Sequence, residues 1–545
     1  MSFYDIVRKS LDEEQLVIHQ ECKRKKSGGL FIPMGGGKTR LSIANALSNG
    51  GISCVVASKT ALTSWCNELD SIFGGKFPYE VVSPAGMTKK TLTAWKRKPE
   101  TQMVLISPEY MVSIYSRHDP HFRRCVQEGL VDGWRRVFEY HTAREPETSI
   151  GEEGPLSIFS TLWDTLIIDE VQHYTNIGTK VCKTLLSLAA KRRWCLSGTP
   201  IRSSKIEFIL GYYCLIDYTC PRTVEEMKTW LSRRGYKGVN KSAVVRTKEE
   251  STLNIRIKRH IVRHPIHAEE RRVFVVFKDM LKKLINDLLE NVQDVQHKRQ
   301  LRAAIMANFT YLRQALLCPV LPIGSIMLRM YEVDADRSIC RNLSNELLKS
   351  DLGEWLNDPS SVISSRLEEV MKVLSNHTKE RCIVFTSFRT SVDVFMHYCG
   401  VNLNRPLFTL ESKYSIDKRR EVINAFENTP DGVLFLTYKL GCEALNLQKQ
   451  HVCLLSDLEW TLDDMDQAIA RMARRGQEEE VQVYIFTSDT GLEKAILTRQ
   501  KEKSQRIAEL MKGRMKTTIH SITFVKLLKG ILQEEDTVSI IEDIY

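Results

Sequence analysis

Short runs of β-branched and aliphatic residues recur along the chain, with longer segments of mixed polar and apolar residues between them. These runs fall into two groups, residues 53–57, 102–106 and 165–168 early in the chain and residues 381–385, 432–436, 451–455 and 481–486 late in it. Near-continuous apolar runs of roughly four to eight residues are typical of strands buried on both faces of a parallel sheet. The two groups therefore predict an α/β fold with two parallel-sheet lobes.

The middle of the chain follows a different pattern. Residues 278–292 and 302–317 place apolar side chains at steps of three and four, which is the period of an amphipathic helix. Residues 115–160 show no clear period and indicate an insertion or surface loop, while the tail begins as a helix and ends acidic. We expect an organisation into a first lobe at 1–204, a mostly helical insertion at 205–360, a second lobe at 361–500 and a helical tail at 501–545.

Composition and charge narrow the function classes only a little. The 545 residues include 78 Lys and Arg against 67 Asp and Glu, a formal net charge of +11. This surplus favours a polyanionic partner without specifying one. The 14 cysteines form no Cys-x-x-Cys pair, so they indicate free thiols in a reducing compartment rather than a zinc site or disulfide framework. There is no apolar signal core and no run of about 18 apolar residues, so we expect a soluble intracellular protein with no membrane partner.

A glycine turn followed by Lys-Thr is the sharpest chemical feature. It comes directly after the apolar residues 30–32 and contains Gly35, Gly36 and Gly37. Backbone N–H groups in such a turn bind phosphates, and the N-terminus of the next helix adds partial positive charge. Lys38 would reach the β- and γ-phosphates of a nucleotide, and the Thr39 hydroxyl would bind Mg²⁺. Ile32 stands where the strict phosphate loop has its first glycine, so this is the helicase-type variant.

A phosphate loop needs an acid at the end of a neighbouring strand, and Asp169 and Glu170 follow the apolar run 165–168. Asp169 would hold Mg²⁺ directly or through water, and Glu170 would orient and deprotonate the attacking water. An acidic pair after a strand also occurs as a helix N-cap. The glycine turn upstream makes the metal-binding interpretation the stronger one.

A basic segment at residues 467–477 supplies a third element. Arg471 and Arg474 are three residues apart, which predicts that they share one face of a helix. Two guanidinium groups held together could stabilise charge on a phosphoryl group during transfer. Considered alone, the same residues fit a solvated basic helix.

These elements, in this order, resemble the Swi/Snf-related family of superfamily-two helicase-like ATPases over about residues 12–500. Residues 467–477 match the family pattern Gln-Ala-x-x-Arg-x-x-Arg-x-Gly-Gln at each fixed position. The other segments that carry the resemblance are Gln15, residues 55–65 with Ser58, Lys59 and Trp65, residues 105–110 with Ser107, residues 196–200, residues 383–388, residues 437–447 and residues 457–460.

The resemblance implies two RecA-like parallel-sheet lobes with a helical insertion between them, ATP and Mg²⁺ as cofactors, and duplex DNA as partner. The implied catalytic residues are Lys38, Glu170, Arg471 and Arg474, and the implied metal-binding residues are Thr39 and Asp169. The implied nucleotide-binding residues are Gln15, Gly35, Gly36, Gly37, Lys38, Thr39, Asp169, Gln172, Gly441 and Gln467. The implied contacts to DNA phosphates are Ser58, Lys59, Ser107, Thr386, Ser387 and Thr437. Closing and reopening of the lobes during ATP hydrolysis would then move the protein along DNA.

The sequence departs from the family pattern at a few positions. Gln172 replaces the usual His, although a Gln can still form hydrogen bonds between the nucleotide site and residues 196–200. Cys442 and Ala444 replace glycines, which affects the expected lobe closure and strand contact. The compact length and these departures resemble members carried by large DNA viruses. We expect a nuclear location, or a cytoplasmic one for a virus that replicates there.

Three functions fit this pattern. The first is a DNA-dependent ATPase that moves on duplex DNA and remodels protein–DNA complexes or assists transcription, repair or replication. The second is a helicase that separates strands of DNA or RNA. The third is a nucleic-acid-binding scaffold whose altered motifs have lost turnover. The sequence does not identify protein partners.

Overall fold

A computed structural model of the chain describes residues 2–33, 35–82, 97–115, 150–151, 154–155, 158–159, 161–198, 206–216, 223–234, 242–246, 255–289, 294–322, 362–411, 413–414, 416–442, 447–460, 462–474 and 476–511. The chain forms two compact units, the first comprising Met1–Asn254 with Lys503–Ile519 and the second Ile255–Glu502 with His520–Tyr545. Within the described ranges, no helix combines the length and the apolar character that a bilayer crossing requires.

The first unit is built on a seven-stranded sheet in which each pair of neighbours is parallel. Its strands, with a short antiparallel hairpin of β5 and β6, are β1 (Gly28–Phe31), β2 (Ser53–Val56), β3 (Tyr79–Val82), β4 (Met103–Ile106), β5 (Ile150–Gly151), β6 (Gly154–Pro155), β7 (Trp163–Ile168), β8 (Ala190–Ser197) and β9 (Ala243–Val245). Its helices are α1 (Phe3–Lys9), α2 (Glu13–Arg24), α3 (Lys38–Asn49), α4 (Lys59–Phe73), α5 (Pro108–Tyr115), α6 (Lys180–Leu186), α7 (Ile206–Ile216) and α8 (Val224–Arg234). The strand order is β3-β4-β2-β7-β8-β1-β9.

The second unit contains a six-stranded sheet, again parallel throughout. Its strands are β10 (Ile257–His264), β11 (Cys382–Thr386), β12 (Leu407–Thr409), β13 (Val433–Thr437), β14 (Val452–Leu455) and β15 (Val481–Ser488), in the order β10-β15-β14-β11-β13-β12. Its helices are α9 (Ala268–Leu289), α10 (Val295–Leu317), α11 (Ser365–Asn376), α12 (Arg389–Asn402), α13 (Ile416–Glu427), α14 (Tyr438–Cys442) and α15 (Leu462–Ile469). The last helix, α16 (Gly491–Met511), belongs to the second unit up to Glu502 and to the first unit from Lys503.

The two predicted parallel-sheet lobes are confirmed. Strands β1, β2 and β4 of the first sheet and β11, β13 and β14 of the second are buried at every position. Helices cover both faces of such strands, so apolar residues are needed on both sides and no alternation remains. The continuous apolar runs therefore correspond to central strands.

The division along the chain differs from the boundaries expected at residues 204 and 360. Strand β9 pairs with β1 in the first sheet, and β10 pairs with β15 in the second, so residues 205–360 contribute to both units. Neither strand shows a long continuous apolar run in the sequence. Strand β9 has only three residues, and β10 lies at a sheet edge and is rich in Lys, Arg and His. The long helices α9 and α10 do occupy the predicted helical stretch. Much of the insertion expected at 115–160 and of the tail expected at 501–545 lies outside the described residues.

A buried ion pair joins three elements of the second unit. The guanidinium of Arg366 donates from Nη2 to both carboxylate oxygens of Glu493 at 2.9 Å and from Nε to His264 Nε2 at 2.7 Å. All three side chains are buried. Since Nε2 of His264 accepts this bond, the ring proton lies on Nδ1, which faces the Ser365 hydroxyl at 3.1 Å. Burial, together with the neighbouring positive charge of Arg366, lowers the pKa of His264 to about 3.

This neutral histidine should make the second unit less stable in mild acid. The unfolded chain binds a proton at His264 near pH 6.5, whereas the folded chain excludes it until about pH 3. Its stabilising effect is therefore complete above pH 6.5 and decreases as the pH falls from there towards 3. His264→Gln keeps an acceptor for Arg366 without the titration. We expect the loss of unfolding free energy from about pH 7.5 to about pH 5.5 to be about 1 kcal/mol smaller in this variant.

Urea denaturation at the two pH values measures this difference. His297→Gln, at an exposed position of α10, is the matched control and should lose as much stability as the wild type. Equal losses in all three proteins would contradict the assignment of a buried neutral histidine.

Candidate nucleotide and nucleic-acid site

The parallel sheet of the first unit brings three predicted segments to one edge. Strands β7, β8 and β1 are neighbours in that order, and the carboxyl ends of parallel strands lie at the same edge. The glycine turn follows β1, the acidic pair Asp169 and Glu170 follows β7, and Ser197 ends β8. Residues far apart in the sequence therefore meet at a single site.

The glycine turn has a conformation that few other residues could adopt. Gly35 and Gly37 have φ angles of 81° and 80°, in the left-handed region. A Cβ atom on Gly37 would lie 2.2 Å from Nε2 of Gln15. That amide donates a hydrogen bond to the carbonyl of Gly36 at 3.4 Å. The buried side chain of Gln15 thus packs against the turn and stabilises it through this hydrogen bond.

Lys38 and Thr39 begin helix α3 directly after the turn. The Lys38 ammonium donates to the carbonyls of Ile32 at 3.3 Å and Pro33 at 3.4 Å, so it lies across the loop. A helix N-terminus, a fixed ammonium and a glycine turn together form a site for a polyphosphate.

Asp169 has both carboxylate oxygens fixed by donors. Oδ2 accepts from the indole N–H of Trp65 at 3.0 Å, and Oδ1 accepts from the backbone N–H of Glu170 at 2.9 Å. Burial, followed by the charge of Glu170, raises the pKa of Asp169 to about 6, while Trp65 and Lys38 oppose this shift. The effect of Lys38 on this pKa indicates that the phosphate loop and the acidic pair share one electrostatic environment.

Glu170 has a strained backbone conformation, and hydrogen bonds between polar side chains hold its carboxylate. Its φ of 48° makes it the one non-glycine residue with positive φ in the described part of the chain. Gln172 Nε2 donates to Glu170 Oε2 at 2.6 Å, and the Ser197 hydroxyl donates to Gln172 Oε1 at 2.6 Å. Gln172 and Ser197 are buried. Gln172 therefore links the acidic pair to the end of β8, as expected for a residue that replaces His.

The donor set suits Mg²⁺ and a nucleotide. Mg²⁺ prefers carboxylate, hydroxyl and phosphate oxygens, and Asp169 with Thr39 could supply the first two. The turn also leaves little room for side chains, since a Cβ on Gly36 would lie 3.0 Å from the Pro33 carbonyl. Gln15, Gly35, Gly36, Gly37 and Lys38 could hold the nucleotide.

The second unit carries the remaining nucleotide candidates. Gln467 is buried in α15, and its Nε2 has no hydrogen-bond partner among the described residues. Gly441, in α14, packs against the ring of Phe385, where a Cβ would lie 2.3 Å from Cε1. Its small size therefore has a packing reason of its own. Ala444 and the Cys442 side chain lie outside the described part of the structure.

The prediction that Arg471 and Arg474 share a helix face is wrong. Helix α15 ends at Ile469, and both arginines lie in the turns that follow. Further along this segment, the side-chain amide of Gln477 donates to the carbonyls of Gln448 at 2.8 Å and Gln450 at 2.9 Å. Burial, followed by the charge of Arg471, lowers the pKa of Arg474 to about 10.

The nucleic-acid candidates of the first unit differ in exposure. Ser58 caps helix α4 by accepting from the Ala61 N–H at 3.3 Å, and the Lys59 ammonium lies 4.8 Å from the ring centre of Tyr110. Ser58 and Lys59 are exposed at the carboxyl end of β2. Ser107 is fully buried after β4, so its hydroxyl does not reach the surface here.

The candidates of the second unit are mostly engaged within the fold. Thr386 is fully buried at the end of β11. The Ser387 N–H donates to Asp457 Oδ1 at 3.0 Å, while its hydroxyl accepts from Arg313 at 2.7 Å. Thr437 accepts from the Leu440 N–H at 3.3 Å.

Trp65 is part of a motif in the sequence, but its local context indicates no role for it. Its partner Asp169 lies 104 residues further on, and residue spacing carries no information about such a contact. The pattern at residues 467–477 likewise contains Gln477 but indicates no hydrogen bond for it. In each case the only available signal was the presence of the residue type in a family motif.

Comparison with known proteins gives a consistent result. The profile of the SNF2-related domain matches residues 14–299, and that of the helicase conserved C-terminal domain matches residues 365–476. Protein 172L of Invertebrate iridescent virus 6, which carries the name of a helicase, is 22% identical over 589 residues that cover 94% of this chain and 91% of that protein. The DNA repair and recombination protein RAD54 of Oryza sativa subsp. japonica is 24% identical, but the match covers 62% of this chain and only 37% of RAD54. A solved Sulfolobus solfataricus SWI2/SNF2 ATPase core in complex with dsDNA is 18% identical, with 96% of this chain and 97% of that chain covered and a TM-score of 0.35.

Two glycine substitutions separate backbone strain from damage to the phosphate loop. Gly37 and Gly50 have φ of +80° and +67°, but only Gly37 has an atom in the way of a new Cβ. Gly37→Ala and Gly50→Ala should each lose about 1–2 kcal/mol of stability through strain. We expect only Gly37→Ala to lose affinity for a fluorescent ADP, by roughly tenfold or more, which corresponds to about 1.4 kcal/mol. Equal affinities in the two variants would argue against a nucleotide at this turn.

Proposed function

Because this chain belongs to the SNF2-related family of helicase-like ATPases, we propose that it hydrolyses ATP and uses the energy to move along duplex DNA. The observation that carries the proposal is the convergence at one sheet edge of the glycine turn, Lys38, the acidic pair and the exposed start of α4. The same edge thus offers groups suited to a nucleotide and groups suited to a phosphate backbone.

The ATP chemistry follows from the side chains of this site. Lys38 would bind the β- and γ-phosphates, and Glu170 would orient the attacking water and accept its proton. Gln172, bonded to Glu170 at 2.6 Å, keeps that carboxylate in place. When bound at Thr39 and Asp169, Mg²⁺ would neutralise phosphate charge. Arg471 and Arg474 would stabilise the negative charge on the phosphoryl group during transfer.

Duplex DNA is the proposed track. The cap of α4 at Ser58 and the ammonium of Lys59 are exposed and suited to a backbone phosphate. The net charge of +11 supports a polyanionic partner. The name of the rice relative concerns DNA repair and recombination, which favours DNA over RNA. The long match to an iridovirus protein supports a compact viral form of the motor. Its task would be to remodel protein–DNA complexes or to assist transcription, repair or replication.

An ATPase assay without nucleic acid and with single-stranded DNA, duplex DNA or RNA tests this function. We expect duplex DNA to give the highest rate. Lys38→Ala should reduce that rate by about a hundredfold or more, since it removes a charge that stabilises the transition state. Lys76→Ala, at an exposed position of the same unit, is the matched control and should hydrolyse ATP as the wild type does.

Each other result favours a different function. Equal rates under all four conditions would rule out a DNA motor. Hydrolysis that survives Lys38→Ala would show that the loop is not the ATP site, and no hydrolysis at all would favour a binding scaffold. Separation of a labelled strand from a duplex would identify a true helicase.

A further inference from the structure

Trp65 makes an unusual contact for a tryptophan in this fold. Its side chain is fully buried, and its indole N–H points to the carboxylate of Asp169, with 3.0 Å between Nε1 and Oδ2. Two other tryptophans of the first unit are equally enclosed. Trp163 donates to the backbone carbonyl of Ile158 at 3.1 Å, and Trp194 Nε1 has no hydrogen-bond partner in the described part of the chain. A buried tryptophan in this unit therefore does not need a carboxylate as the hydrogen-bond partner of its indole N–H.

The contact determines the orientation of the Asp169 carboxylate. Trp65 fixes Oδ2, and the backbone N–H of Glu170 fixes Oδ1 at 2.9 Å. With one donor on each oxygen, the carboxylate plane cannot rotate, while each oxygen keeps a lone pair for a further ligand. Removal of a group that orients a metal ligand in this way commonly lowers the affinity for the metal by about 10–100-fold.

Helix α4 connects this contact to the surface. Ser58 caps the helix, Lys59 is its first residue, and Trp65 follows six residues later, about 9 Å along the axis. Leu62, Trp65 and Leu69 belong to the same buried core of the first unit. One helix thus carries both an exposed N-terminus and, six residues on, the indole that contacts Asp169.

We propose that Trp65 is a positioning residue for Asp169, and that α4 links nucleic-acid contact at Ser58 and Lys59 to the Mg²⁺ site. This inference rests on the proposed function and deepens it. Nucleic acid bound at the start of α4 holds the helix in position, Trp65 holds the carboxylate, and Asp169 is oriented for the metal. A buried residue of α4, the helix whose N-terminus contacts the nucleic acid in this proposal, thereby contributes to the ATP site.

Trp65→Phe tests the first part, because it removes the N–H and keeps an aromatic ring in the core. Binding of a fluorescent ADP is measured while MgCl₂ is raised from an EDTA-treated, metal-free start. We expect the Mg²⁺ concentration needed for half-maximal response to rise by about tenfold, with the affinity for ADP in EDTA unchanged. Trp163→Phe loses an equally buried indole bond to a carbonyl and should leave the Mg²⁺ requirement as in the wild type.

The second part predicts a split between binding and stimulation. Trp65→Phe should bind duplex DNA with wild-type affinity but lose most of the increase in ATP hydrolysis that duplex DNA causes in the wild type. Identical Mg²⁺ requirements in Trp65→Phe and Trp163→Phe would overturn the positioning role. Full duplex stimulation in Trp65→Phe would overturn the link through α4.

Two further readouts keep the test decisive. If Trp65→Phe does not fold, the wild type labelled with ¹⁵N at its 8 indole groups replaces it. At least one indole N–H signal should move between ADP with EDTA and ADP with Mg²⁺, and a spectrum in which none moves would overturn the proposal. The proposed function itself would fail if duplex DNA did not stimulate ATP hydrolysis by the wild type. The Mg²⁺ titration involves no DNA, so it still tests the positioning role of Trp65 in that case.

Discussion

The direction of the strands is the constraint on which the site depends. Each neighbouring pair in the first sheet is parallel, so the chain always leaves the sheet at the same edge. Because β7, β8 and β1 are adjacent, the acidic pair, Ser197 and the glycine turn end side by side. One antiparallel strand among these would move its loop to the opposite edge. The chemistry of the site is therefore a consequence of sheet topology combined with a few residues placed directly after strands.

The site stores strain and satisfies its buried polar groups at the same time. A non-glycine residue in the left-handed region, such as Glu170, costs about 1–2 kcal/mol. A hydrogen bond to a charged group contributes about 1.5–3 kcal/mol, so the bond from Gln172 offsets that strain. The Trp65 bond acts in the same direction on Asp169, whose ionised form burial disfavours. Neutral donors from other elements thus keep two adjacent carboxylates in place.

How much the sequence could predict depends on the range of the interaction. Central strands were predictable because burial on both faces requires apolar residues throughout, and the glycine turn because positive φ at Gly35 and Gly37 favours glycine. Strand β10 was not predictable from the sequence, because an edge strand tolerates polar residues. The end of α15 before Arg471 was not predictable either, because a spacing of three residues between two arginines is compatible with a helix but does not determine where the helix ends. Contacts such as Trp65 to Asp169 join residues 104 positions apart, and no local pattern encodes them.

Movement along duplex DNA is tested most directly by displacement of a third strand from a DNA triplex. A protein that tracks the duplex removes the bound strand without separating the two strands beneath it. With ATP, the wild type should release the third strand, and Lys38→Ala should leave it bound. Release that needs no ATP, or no release by a wild type that hydrolyses ATP, would contradict a motor that couples its nucleotide site to duplex DNA.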